Sequence, residues 1–427
     1  MKRLFTRFYR AFSIDEWVWF LIWFSLPLSI RFNSLAILSG GILLLVSFIR
    51  NPQPVSKKRT FHIILPWLFF AISAFAAFHH ASLITGWKEL EKQLSFVAIP
   101  VMVLLSSIDK NKFTRASLTG LVLSLSLAGI VMLGDSVWRL VQNWNFSVFT
   151  YHQLTYPFHM GAIYFSLCLI TALFQITELE WLSNRRFFQR TVILLFLLLL
   201  FLAASKIILV VGIPLLIWHY RHPLKNEFSA HKLLVLVMIL LALLALIPVG
   251  KRLKILTQPN LELTTAGQFR YDSPLNGLNL RLIQWRFAIE ILNENHAWMS
   301  GVGLAEAREK LNQKYFQDRL YTGTEGTSDT GYLNYNFHNQ YVETLVRTGI
   351  PGLFILLAML VYLIILPKTN LFVNKWVIFI CFAFFMTESA LERQLGIVYF
   401  CLIFSSYFFD NARYQRTHEL LFAYKGF

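Results

Sequence analysis

Apolar segments recur along almost the whole chain, near residues 15–31, 33–49, 61–79, 93–108, 116–137, 156–176, 190–204, 207–220, 232–249, 350–366, 374–388 and 394–409. Several approach the roughly 20 residues that cross about 30 Å of hydrocarbon. The alternating pattern of a membrane barrel is absent. The sequence therefore predicts an all-α polytopic membrane protein with about twelve transmembrane helices. The run from 190 to 220 is too long for one span and is interrupted by Ser205-Lys206. It predicts a tight hairpin with Lys206 at its tip.

Charge gives the orientation. The net charge of +16 first suggests nucleic acid. Its distribution argues otherwise, because Lys and Arg gather between apolar segments, as on the cytoplasmic side of a membrane protein. With the N-terminus inside, the cytoplasmic segments hold 22 Lys and Arg against 6 in the short outer loops. Both termini are expected in the cytoplasm and the long polar segment 250–349 outside, which in a bacterial inner membrane is the periplasm. The basic start "MKRLFTRFYRAF" reads as a retained cytoplasmic tail, since no cleavage site follows the first apolar run. The expected division is helices 1–9 over 1–249, a periplasmic cap over 250–340, helices 10–12 over 341–410, and a cytoplasmic tail over 411–427. Cys168, Cys381 and Cys401 all fall in apolar segments and suggest neither a metal site nor a disulfide framework.

The cap is expected to be helical. "NLRLIQWRFAIEIL" places Leu282, Trp285, Ile289 and Leu292 at helical spacing, and "LAEAREKLNQKYF" continues with Leu304, Ala307, Leu311 and Tyr315. "SGVG" breaks the first helix, and "GTEGTSDTGYLNYN" is a loop. No P-loop, GxGxxG, HExxH, CxxC or acidic metal cluster is present, so no cofactor and no metal are expected, and phosphate chemistry would rest on Arg and Lys.

Five polar positions stand out. Lys206 is either a snorkelling interfacial lysine or an anion contact. Arg286 pairs with Glu290 at i,i+4, whereas Arg281 has no such carboxylate and shares a face with Trp285, which leaves its guanidinium able to grip phosphate. His338 begins a short amphipathic helix to Arg347, which Gly349-Ile-Pro-Gly352 would bend. At the outer surface, His338 is either an inert interfacial histidine or a general base for a hydroxyl. Glu388 and Glu392 mark an outer turn, where they would cap and pair with Arg393, orient basic groups or bind a sugar hydroxyl. Arg347 reads as a solvated or interfacial residue.

His338-Asn339, then Gly349 and Gly352, resembles the histidine motif of the O-antigen ligase family, H-[NSQ]-x9-G-x-x-[GTY]. "RLIQWRFAIEILNENHAWMSGVGL" is similar to that family's "R…W…A…hP…GvGl" run, with Ala297 at the usual proline, and "ESALERQLGIVYF" also resembles its members. The family belongs to a superfamily with O-antigen polymerases. The resemblance implies a GT-C-like glycosyltransferase, independent of metal and inverting. It would transfer O-antigen from undecaprenyl diphosphate to a hydroxyl of lipid A–core. It assigns His338 as general base and Arg281 and Lys206 to the donor diphosphate, Lys206 standing where the family has an arginine. Asn339, Gly349 and Gly352 would shape the motif, with Trp285, Glu388 and Glu392 secondary. The nearest alternatives are an O-antigen or exopolysaccharide polymerase and a protein O-glycosyltransferase. From a different class, a lipid or solute transporter would show repeated halves and midplane charges.

Overall fold

The computed structural model describes residues 12–53, 57–79, 83–203, 205–220, 267–270, 273, 275–365 and 375–409. No strand occurs among the described residues. The helices are α1 (Ile14–Ser25), α2 (Ile30–Arg50), α3 (Lys57–His79), α4 (Leu83–Glu91), α5 (Ser95–Leu105), α6 (Lys110–Asn143), α7 (Ala162–Gln175), α8 (Glu180–Ser183), α9 (Arg186–Leu202), α10 (Ile213–Tyr220), α11 (Gly277–Glu294), α12 (Glu306–Gln317), α13 (Gln340–Ile365), α14 (Lys375–Phe385) and α15 (Gln394–Ser406). By length and composition α2, α6 and α13 suffice to cross a membrane, and shorter apolar helices surround them. The chain is a multi-pass helical membrane protein. The expected segment 232–249 lies outside the described residues, as do both tails.

The bundle closes around large apolar side chains, with Trp19, Trp23, Phe96, Phe113, Phe165 and Phe400 fully buried. α1 packs against α2 and α6, α3 against α5 and α13, and α7 against α6 and α9. The opposite face of α2 leaves Phe32, Leu35, Leu38, Ile42 and Ile49 exposed. Lipid is as apolar as these side chains, so a membrane helix has no need to bury them against protein. The first expected segment ends sooner than its apolar run implies. α1 stops at Ser25, just before Pro27, which cannot donate to a helical ladder. At the other end of α1, Ser13 and Glu16 form a reciprocal capping box, and the buried Glu16 carboxylate meets Arg115 at 2.5 Å.

The charge at Ser205-Lys206 marks a real interruption. α9 ends at Leu202, and helix resumes at Lys206 through a π-turn at Ile208–Gly212 into α10. Both α9 and the π-turn pack against α7.

α11 and α12 pack on each other and on α13. Their own apolar cluster gathers Ile283, Phe287, Ile291, Ala307, Leu311, Tyr315, Phe337 and Val346. The α12 stripe matches the sequence reading. The α11 stripe is largely rotated: Ile283, Phe287 and Ile291 are buried with the expected Leu292, while Ile289 is 51% exposed. This helix carries apolar residues on more than one side, and the partner surface selects the one that is covered.

Candidate functional site

The site is built on the N-terminus of α13. Asn339 caps the helix, its side-chain oxygen accepting the N–H groups of Tyr341 at 2.9 Å and Val342 at 3.1 Å. His338 therefore stands just outside the helix, rather than on its first turn as the sequence pattern suggested. Its backbone is left-handed, with φ of 47°. A non-glycine residue held so costs about 1–3 kcal/mol, so its surroundings must enforce the geometry. They do. Asn336 Oδ1 accepts the His338 N–H at 3.0 Å, and Trp285 Nε1 donates to the Phe337 carbonyl at 3.0 Å. Trp285 thus ties α11 to the histidine segment.

The second half of the motif docks the cap. Gly349 breaks the helical path of α13 with φ of 70°, and Pro351 starts the next turn. A Cβ on Gly349 would stand 2.4 Å from the Met299 carbonyl oxygen, and one on Gly301 would stand 2.4 Å from the Arg347 carbonyl carbon. Backbone lies on backbone here. Val302 donates to the Val346 carbonyl at 2.8 Å, and Ile350 donates to the Trp298 carbonyl at 2.8 Å. The "SGVG" glycines and Gly349 are two sides of one joint. Gly352 packs beside Thr348, close to Ile72 of α3.

Around the imidazole the charges are basic. Burial, then Arg281, then Arg393, hold His338 down to about 4 from its usual 6.5, so the ring is neutral near pH 7. Its Nδ1 is buried with no hydrogen-bond partner among the described residues. Arg281 donates from Nη1 to the Gly277 carbonyl at 3.1 Å, and its nearest carboxylate, Glu388, lies 3.9 Å from Nη2. Burial pushes the Glu388 carboxyl up, against the pull of Arg281 and Arg393. Arg393, on the turn before α15, is exposed and has no ion-pair partner within 4.0 Å among the described residues. His152, on the loop between α6 and α7, is held below its usual range by burial and then by Arg393.

Behind the histidine segment the charges are paired. Arg347 is 6% exposed. It meets Glu343 at 2.7 Å, Glu392 at 3.0 Å and Glu89 at 3.8 Å. Arg308 also binds Glu392. Two of these carboxylates reach back to the residues that hold His338. Glu343 Oε2 accepts the Phe337 N–H at 3.1 Å, and Glu392 Oε2 accepts from Asn336 Nδ2 at 2.6 Å. This corrects the solvated reading of Arg347 and the expected pairing of Glu392 with Arg393. A buried guanidinium needs carboxylates from several elements, and their convergence is not visible in linear spacing.

Residues 191–357 match the family model described as O-antigen ligase. This match supports membership of the O-antigen ligase superfamily. The matched family suggests a membrane glycosyltransferase-like enzyme with ligase or polymerase activity. No curated protein matches the chain. The O-antigen ligase domain contains Lys206, Arg281, Trp285, His338, Asn339, Gly349 and Gly352, whereas Glu388, Glu392 and Arg393 lie beyond it.

Of the residues singled out in the sequence, the fold brings Arg281, Glu388 and His338 together and fastens Trp285 beneath them. Lys206 is exposed at the break after α9, and the cations that act on His338 are Arg281 and Arg393. Sequence reasoning missed Arg393 as a site residue and His152 altogether. The only signal was the basic residue on an outer turn, inside "ESALERQLGIVYF". Among the described residues no group of three His, Cys, Asp or Glu is arranged to hold a metal ion.

Proposed function

We propose that the protein is an O-antigen ligase, acting on the periplasmic side of the bacterial inner membrane with both termini in the cytoplasm. It transfers O-antigen from undecaprenyl diphosphate to a hydroxyl of lipid A–core. The fold is of the GT-C-like kind with about twelve spans, divided as 1–249, the cap over 250–340, 341–410 and the tail. The observation that carries the reading is His338, its buried Nδ1 without a hydrogen-bond partner among the described residues, beside Arg281 and Arg393.

The reaction is inverting and independent of metal. His338 takes the proton of the acceptor hydroxyl, whose oxygen attacks the anomeric carbon. The bond from that carbon to the diphosphate oxygen breaks, and the electron pair leaves with the diphosphate. Arg281 and Lys206 neutralise the charge that develops there. The bundle offers apolar surface to the polyprenyl chain, and the cap keeps water from the donor. A bound diphosphate offsets Arg281 and Arg393, which lifts the imidazole toward the range where it transfers protons well.

The decisive experiment gives purified protein the lipid-diphosphate glycan and lipid A–core in the presence of EDTA. Product that disappears in His338→Ala supports the reading. Strict dependence on an added divalent metal, or full activity of His338→Ala, overturns it. A growing glycan supplied as acceptor in parallel separates ligase from polymerase.

A further inference from the structure

A row of tyrosine rings runs through the cap to His338. Tyr321 meets Tyr332 edge-on at 6.2 Å, Tyr332 meets Tyr335 at 6.0 Å, and Tyr335 meets the His338 ring at 5.6 Å. A fourth ring, Tyr315, lies behind Tyr332 at 6.5 Å, fully buried, its hydroxyl accepting from Gln284 at 2.7 Å. Tyr315 belongs to the core of the cap. The front rings are different. Tyr335 is 41% exposed, and neither its hydroxyl nor that of Tyr332 has a hydrogen-bond partner among the described residues.

The backbone holds these rings in place. Tyr332 donates its N–H to the Tyr321 carbonyl at 2.9 Å, and the Tyr321 hydroxyl is held by Asp329. The surrounding loop is rich in Gly, Thr, Ser and Asn and also carries Glu325 and Asp329. The amides of Asn312 and Asn334 stand beside it at the surface, joined through the Asn334 N–H to Asn312 Oδ1 at 2.9 Å. Tyr332 leans on the core of Phe287, Leu311 and Tyr315, whereas the exposed Tyr335 is no part of that cluster.

Tyrosine offers an apolar face and a polar tip on a side chain with few rotamers. A sugar ring has the matching surface, with C–H faces and a rim of hydroxyls. We infer that Tyr335, Tyr332 and Tyr321 form a track that binds a saccharide chain and leads it to His338. The inference rests on the proposed glycosyl transfer and adds the element that holds the sugar. The charge along the track is acidic, from Asp329 at Tyr321, and suits a saccharide better than an anionic headgroup, which the arginines beside His338 would take.

The test measures binding of two lipid-free probes, core oligosaccharide and O-glycan, to the full-length protein by intrinsic fluorescence. Tyr335→Leu keeps an apolar side chain but removes the aromatic face, and should weaken one probe about tenfold. Tyr335→Phe keeps the face and should bind nearly as wild type. Loss confined to core oligosaccharide assigns the track to the acceptor; loss confined to O-glycan assigns it to the donor. Unchanged binding of both probes in Tyr335→Leu and Tyr332→Leu, in proteins that melt like wild type, overturns the track. So does wild-type protein that binds neither probe. The catalytic reading fails separately: His338→Ala that transfers glycan at the wild-type rate sinks the base and leaves the track standing.

Discussion

Two arginines near the histidine segment are treated in opposite ways. Arg347 is buried against three carboxylates. Arg281 keeps 31% of its side chain exposed and has one carboxylate, at 3.9 Å. A satisfied buried charge holds a scaffold together, since removing its partner would strand a charge in a dry interior. A charge with spare donors beside a neutral imidazole is available to a ligand. The same residue type at the same end of the molecule therefore serves structure in one place and chemistry in the other.

The largest expected effect breaks chemistry without breaking the fold. His338→Ala should lower glycan transfer by about 10²–10⁴-fold, as loss of a general base does. Its unfolding midpoint in detergent should stay near wild type, because only the ring is removed and the Asn336 and Trp285 contacts are to backbone. Arg347→Ala should do the reverse. Leaving Glu343 buried without an ion-pair partner, and Glu392 with Arg308 alone, should destabilise by about 3–5 kcal/mol, read from denaturant unfolding. Arg281→Ala should stay within about 1 kcal/mol of wild-type stability while transfer falls. Equal stability losses in the two arginine variants would erase the distinction drawn between them.

Gly349→Ala sharpens the comparison at the joint. A Cβ there meets the Met299 carbonyl oxygen, and φ of 70° disfavours any L side chain. A loss of about 2 kcal/mol is expected, together with weaker protection of the 298–303 segment in hydrogen exchange. Wild-type stability in this variant would mean the cap does not depend on the joint.

The smallest effect is in pH dependence. His338 acts as a base only when neutral, so transfer is lost as pH falls through its pKa. In the free enzyme that lies at about 4, and the acid limb of kcat/KM should fall there. Bound diphosphate raises it, so the acid limb of kcat should sit at higher pH. Arg393→Ala removes a cation that depresses His338 and should move the kcat/KM limb upward. An unmoved limb in that variant would mean that Arg393 does not act on the base.

Helices were legible in the sequence because apolar runs of membrane length leave the chain little choice. The interruption at Lys206 and the bend at Gly349 were legible for the same local reason: a charge or a glycine-proline pair conflicts with a continuous apolar helix. The motif from His338 to Gly352 pointed to the functional end, and the O-antigen ligase domain covers it. The face of α11 was not legible, since Ile283 and Ile289 are equally apolar and only packing chose between them.

By itself, then, the sequence determined a helical membrane protein, one large polar segment late in the chain, and the residue types of a basic site around one histidine. All of these follow from spacing along the chain. The tertiary structure decided which charges are spent on one another. Glu89, Glu343 and Glu392 lie on three separate elements, and only their convergence on Arg347 takes that arginine out of the site. Arg281 and Arg393, far apart in sequence, act on His338 because the cap and the turn before α15 meet above it. Pairing of charges depends on distance in space, and distance in space is what folding adds.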